Sequence, residues 1–122
     1  MKRIALSCAV IICTLIAITA SASLNRFAGG WKNIDPDTRG VTTLDIGAVG
    51  SAVTVQAWAK CHPQDCDWGR VNGYAYAPDV ASNLAEAAET ISALFQTSFS
   101  ETLMIIHALP GNRLHVEVLT RF

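Results

Sequence analysis

Surplus charge is scarce in this chain of 122 residues: nine Lys and Arg stand against ten Asp and Glu, and charged residues make up only 16% of it. Recognition of nucleic-acid phosphates needs clustered Lys and Arg, so that class of partner is excluded. The signature stretches of several enzyme classes are missing as well. There is no G-x-x-x-x-G-K-[ST] loop to cradle a nucleotide phosphate and no H-E-x-x-H helix to hold a catalytic zinc. Ser51, Ser92, Ser98 and Ser100 lie outside any G-x-S-x-G nucleophile elbow. No N-x-[ST] sequon, internal repeat or low-complexity linker occurs. No cofactor is implied and no metal ligand is assigned.

One long hydrophobic run is present. Met1-Lys2-Arg3 is a short positive start, Ile4 to Ala20 is seventeen residues without a charge, and Ala20-Ser21-Ala22 is a small-x-small cleavage site. The pattern is that of a signal peptide over 1–22, with Ser23 as the mature start. The competing reading is a retained membrane anchor, since the run sits at the lower edge of bilayer-spanning length. Cys8 and Cys13 fall inside the run rather than just after it, which argues against lipoprotein processing. The remaining 100 residues read as a single domain, 23–122, with 46 apolar residues, seven basic and ten acidic side chains. That apolar content suits a globular core and excludes disorder. The expected location is secreted, periplasmic or in the cell envelope, with no stable membrane span after cleavage.

Cleavage leaves two cysteines, Cys61 and Cys66. In an oxidising compartment an even pair is most simply a disulfide. The spacing is C-x4-C, not the C-x-x-C of redox sites. The bridge would fix the His62-Pro63-Gln64-Asp65 tip.

Strand signals fill the rest. A first strand is expected in 28–34, followed by an Asp35-Pro36 turn whose Asp side chains cap local N–H groups. Val41 to Ile46 alternates and Gly47 to Gly50 turns. In 51–60, Val53, Val55, Ala57 and Ala59 oppose Thr54, Gln56, Trp58 and Lys60. A cysteine loop over 61–69 leads to a strand over 70–76. Leu84, Ala88, Ile91 and Phe95 share a helical face, but Ile91, Ala93 and Phe95 also share a strand face. The division adopted is a short helix over about 81–90, capped at Asn83, and a strand over about 91–98. Strands over 102–109 and 113–121 form a hairpin across Pro110-Gly111. The fold class is mainly all-β: an antiparallel meander forming a small barrel or strongly curved sheet, with one short helix and an N-terminal signal helix.

Two groups of side chains are candidate sites. His62, Asp65 and Asp67 surround the bridge and offer an imidazole and two carboxylates for metal binding or acid–base chemistry; capping of backbone N–H groups explains the Asp residues equally well. Trp58, Tyr74, Tyr76, Gln56 and Asn72 fall on one sheet face. If 51–60 pairs with 70–76 across the cysteine loop, Lys60 lies near Arg70, Trp58 beside Asn72, Gln56 beside Tyr74 and Thr54 beside Tyr76. Rings mixed with amides suit a glycan or another polar–apolar ligand; simple cover for the sheet is the plain alternative. His107 is expected at a core or rim position with a hydrogen-bond partner, and His115 in solvent.

Gly29-Gly30-Trp31 resembles the G-x-W that opens the first strand of lipocalin and other calycin barrels. That resemblance implies a Trp31 plugging one barrel end, with Arg121 packed on it. Trp31-Lys32-Asn33-Ile34-Asp35-Pro36-Asp37-Thr38-Arg39-Gly40, Cys61-His62-Pro63-Gln64-Asp65-Cys66-Asp67-Trp68-Gly69 and Leu119-Thr120-Arg121-Phe122 resemble a family of small exported bacterial β domains. Members of that family continue past T-R-F into a further strand, which implies an unpaired strand edge here. The expected function is an exported, non-catalytic binding or interaction domain for a glycan, small molecule or protein. The alternative is a small extracytoplasmic enzyme or metal-binding protein that uses His62, Asp65 and Asp67.

Overall fold

The computed structural model describes residues 23–122; the expected signal segment and its helix lie outside them. Alternating apolar and polar side chains are realised as seven strands: β1 (Gly29–Lys32), β2 (Val41–Val49), β3 (Ala52–Ala59), β4 (Cys66–Tyr76), β5 (Thr90–Gln96), β6 (Glu101–Leu109) and β7 (Arg113–Arg121). Each pairs antiparallel with the next, so spatial order repeats chain order. Short connections make such neighbours pair first. A single sheet can bury its oily face only by bending over itself, and this one curls strongly into a half-barrel. Among the described residues β1 and β7 do not pair, so a seam stays open between them.

The concave side is filled. Leu44, Ile46, Val53, Val55, Ala57, Ile91, Ala93, Phe95, Met104 and Ile106 are buried there. The alternation read from 51–60 holds: Val53, Val55, Ala57 and Ala59 point in and Thr54, Gln56 and Trp58 do not. A 3-10 turn, Ser23–Arg26, plugs the half-barrel with Leu24 and the adjoining Phe27. The Trp31 indole N–H donates to the Phe27 carbonyl at 2.8 Å, and the Arg26 guanidinium reaches the Ala88 carbonyl at 3.4 Å.

Three sequence expectations are corrected. The helix over 81–90 shrinks to one turn, α1 (Leu84–Ala87), capped by the Asn83 side chain, which accepts from the Ala85 N–H at 3.0 Å. The helix stops where the chain enters the sheet: Ala88, fully buried, already has extended backbone, and β5 begins at Thr90. Ile91, Ala93 and Phe95 then enter the core on alternate residues, as the expected strand requires. The cysteine loop is also shorter, because β4 starts at Cys66 rather than at 70. Pairing of β3 with β4 then shifts: Gln56 faces Arg70 and Thr54 faces Asn72. An even shift keeps every side chain on its predicted face while changing all its partners. Lastly, β2 continues through 47–49 to a turn at Gly50.

A bulge in β4 re-aims one ring. The register slips between Gln56 and Trp58, and Gly69 takes φ +84°. That left-handed conformation suits glycine. The bulge turns Trp68 inward, where it meets Phe95 edge-on at 5.5 Å.

Candidate binding cleft and cysteine loop

Cys61 and Cys66 are bonded, with Cα atoms 5.4 Å apart, and they close the β3–β4 hairpin. The His62–Pro63 peptide is cis. The loop's acidic groups serve different partners. Asp65 Oδ2 lies 2.5 Å from the Thr42 hydroxyl, which also lies 3.2 Å from the Trp58 carbonyl, so this carboxylate pins the loop to the irregular start of β2. Asp67 accepts from the Gly69 N–H at 2.7 Å and from the Gln56 amide at 3.1 Å. His62 is exposed. Among the described residues no group of three or more His, Cys, Asp or Glu could hold a metal ion.

The Gly69 N–H and the Gln56 amide hold the Asp67 carboxyl below its ordinary value of 3.8. A carboxyl lowered by folding stabilises the protein above its unfolded pKa, and that contribution disappears as pH falls through the folded value. The Asp67→Asn variant should therefore melt below the parent at neutral pH, with the difference closing as pH drops beneath the carboxylate range. Melting curves across pH test this; a gap independent of pH refutes it.

The convex face carries a second polar group. Asp45, Gln56 and Arg70 stand side by side on β2, β3 and β4. Arg70 pairs with Asp45 and donates to Thr54 at 2.9 Å and to Gln56 at 3.3 Å. Gly47 leaves the space this requires: a Cβ there would sit 2.9 Å from the Thr54 hydroxyl. This exposed cluster satisfies itself and adds little stability.

The shifted register divides the predicted aromatic group. Trp58 is half-buried at the cysteine end of the sheet, opposite Asp67. Tyr74 and Tyr76 lie at the far end of β4, opposite Ser92 and Thr90 of β5. Both rings are exposed, and the Tyr76 hydroxyl accepts from Ser92 at 3.1 Å. Asn72 is exposed between the two ends, and Gln56 is engaged with Asp67 and Arg70. His107 is half-buried with Nδ1 3.0 Å from the Thr90 hydroxyl, as expected of a rim histidine, and stacks at 6.2 Å on exposed His115.

The open seam is itself concave. A cleft of about 570 Å³ runs between β1, the start of β2 and β7. Trp31, Val41 and Leu44 form one wall; Leu114, Val116 and Val118 form the other. The hydrogen bond to Phe27 fixes the Trp31 indole. Lys32, Arg113 and His115 contribute to the lining, which contains no Asp or Glu. Volume and apolar walls match those of small-molecule sites, which span roughly 300–1,000 Å³.

No family model, curated protein or solved structure matches the chain. Arg121, the implied partner of Trp31, is instead ion-paired with Glu101 at 2.9 Å. Glu101 sits directly opposite it on β6. The cleft was not among the sites read from the sequence. Trp31 was its one legible signal, as a large ring beside two glycines. Its other wall follows 83 residues later at Leu114, and strand patterning alone does not bring the two together.

Proposed function

We propose that the chain is an exported, non-catalytic binding domain whose seam cleft takes an amphiphile with an anionic end. The observation carrying this reading is the cleft's composition: apolar walls, Lys32 and Arg113 in the lining, and no carboxylate. Apolar surface would hold the ligand's tail while the cations attract its head. The signal-like start and the disulfide support export. Among the described residues no helix is long and apolar enough to cross a membrane. The likeness to small exported bacterial β domains belongs to the same reading. The catalytic alternative loses support because Asp65 and Asp67 already serve internal hydrogen bonds.

Titration with a fluorescent fatty-acid analogue tests the proposal. The parent should bind it. Val41→Arg, which fills the cleft from the wall remote from β7, should weaken binding by about tenfold or more, equivalent to about 1.4 kcal/mol. The double change Tyr74→Ala with Tyr76→Ala should leave binding intact. Equal affinity for an alkyl-ammonium probe, or loss of binding only in the tyrosine variant, would overturn the reading and move the site to the convex face.

A further inference from the structure

The three histidines of the chain are placed differently. His62 is exposed on the cysteine loop, whereas His107 and His115 stand directly opposite one another on β6 and β7. The two rings stack with centres 6.2 Å apart and planes 24° apart. As cross-strand partners they gain little: directly opposed side chains stabilise when their charges are opposite, and two imidazolium ions repel. Their placement suits metal ligation better. Both backbones are fixed by an unbroken register, and buried Met104 and Ile106 anchor β6 from its other face. Thr90 of β5 supplies a further part. It lies opposite His107, and its hydroxyl is 3.0 Å from His107 Nδ1. A proton donated from Nδ1 to that hydroxyl leaves the lone pair on Nε2. Ligating histidines are held in this way, by a hydrogen bond from the ring nitrogen that does not touch the metal. His107 is half-buried and so held, while exposed His115 is free to turn toward it. Arg113 and Glu117, two residues to either side of His115, carry opposite charges.

We propose that His107 and His115 together bind one late first-row divalent cation, Cu²⁺ more tightly than Ni²⁺ or Zn²⁺, on the convex face of the β6–β7 hairpin. Imidazole nitrogens bond zinc at about 2.0–2.1 Å, so two of them on one ion lie no more than roughly 4.2 Å apart. Rings centred 6.2 Å apart reach that spacing when His115 turns about its side-chain bonds. The preference for Cu²⁺ follows the general affinity order of nitrogen sites. Water completes the coordination, since among the described residues no three His, Cys, Asp or Glu gather around one point. Mg²⁺ and Ca²⁺ favour oxygen ligands and are not held. The site needs only the pairing of β6 with β7. Its ion lies between those two strands rather than between β7 and β1, so the seam cleft stays open.

Calorimetric titration of the purified protein, without a histidine tag, should give one Cu²⁺ per chain and no uptake of Mg²⁺. The electron paramagnetic resonance spectrum of the Cu²⁺ complex should show nitrogen couplings from two imidazoles. His115→Ala changes an exposed position, so the fold survives it; binding should weaken by about tenfold or more and one imidazole coupling should vanish. Thr90→Val keeps both rings, yet it should weaken binding by about tenfold, because lost outer hydrogen bonds typically cost about 10–100-fold in metal affinity. His62→Ala should change nothing. Absence of Cu²⁺ binding in the parent, or equal affinity in the parent and His115→Ala, overturns the proposal. Loss of binding in His62→Ala also overturns it, by placing the ion on the cysteine loop. Unchanged affinity in Thr90→Val overturns the positioning role of Thr90.

Discussion

Phe27→Ala should lower the unfolding free energy by about 3–5 kcal/mol, among the larger losses available to a single truncation. Phe27 has no exposed surface and belongs to the same buried cluster as Leu24, Ile91, Met104 and Ile106. It follows the 3-10 turn at an end of the half-barrel, so the sheet walls cannot collapse inward to refill the lost volume. Its carbonyl still receives the Trp31 indole in the variant, and the loss therefore reports on the ring alone. Urea titration followed by tryptophan fluorescence measures it. A cost below about 1 kcal/mol would mean that the N-terminal turn is not part of the cooperative core.

Gly73→Val should destabilise by about 1–3 kcal/mol, although valine ordinarily favours a strand. A Cβ at this position would meet the Ser92 carbonyl oxygen at 3.1 Å, Val53 Cγ1 at 3.2 Å and Ile91 Cγ2 at 3.3 Å. The nearest of these atoms is backbone of β5, held by pairing on both sides, so relief requires moving strands rather than rotating a side chain. The sign of the effect decides between strand propensity and close packing. Stabilisation in a thermal melt would show that the sheet can relax its curl at β4; destabilisation shows that the curl depends on the missing side chain.

Both predictions concern features that strand patterning only partly revealed. The Asp35-Pro36 turn was legible because its chemistry is local: Asp37 N–H donates to the Asp35 side chain at 3.0 Å, as the turn signal implied. The β6–β7 hairpin was legible because two clean alternations flank Pro110-Gly111. Residues 81–90 were harder, since Leu84, Ala88 and Ile91 satisfy a helical face and a strand entry together. The core settled that contest at Ala88, which is fully buried with extended backbone and leads into β5 at Thr90. Trp68 could not be placed from alternation, because the Gly69 bulge reverses the side on which it points.

Side-chain alternation, turn residues and the Cys61–Cys66 spacing were enough to determine a mainly β meander, the inward set on β3 and a disulfide-tied loop after β3. These are local properties: each position is sorted by whether its own side chain prefers water, and each turn by its own backbone preferences. Only the tertiary structure decided that β4 begins at Cys66, that Trp58 stands apart from Tyr74 and Tyr76, and that the sheet stops short of closure between Trp31 and Val118. Register and closure are sums over contacts between distant segments. Sliding one strand by two residues leaves the pattern on both faces unchanged, so that pattern cannot select among such arrangements, whereas packing on the concave side can.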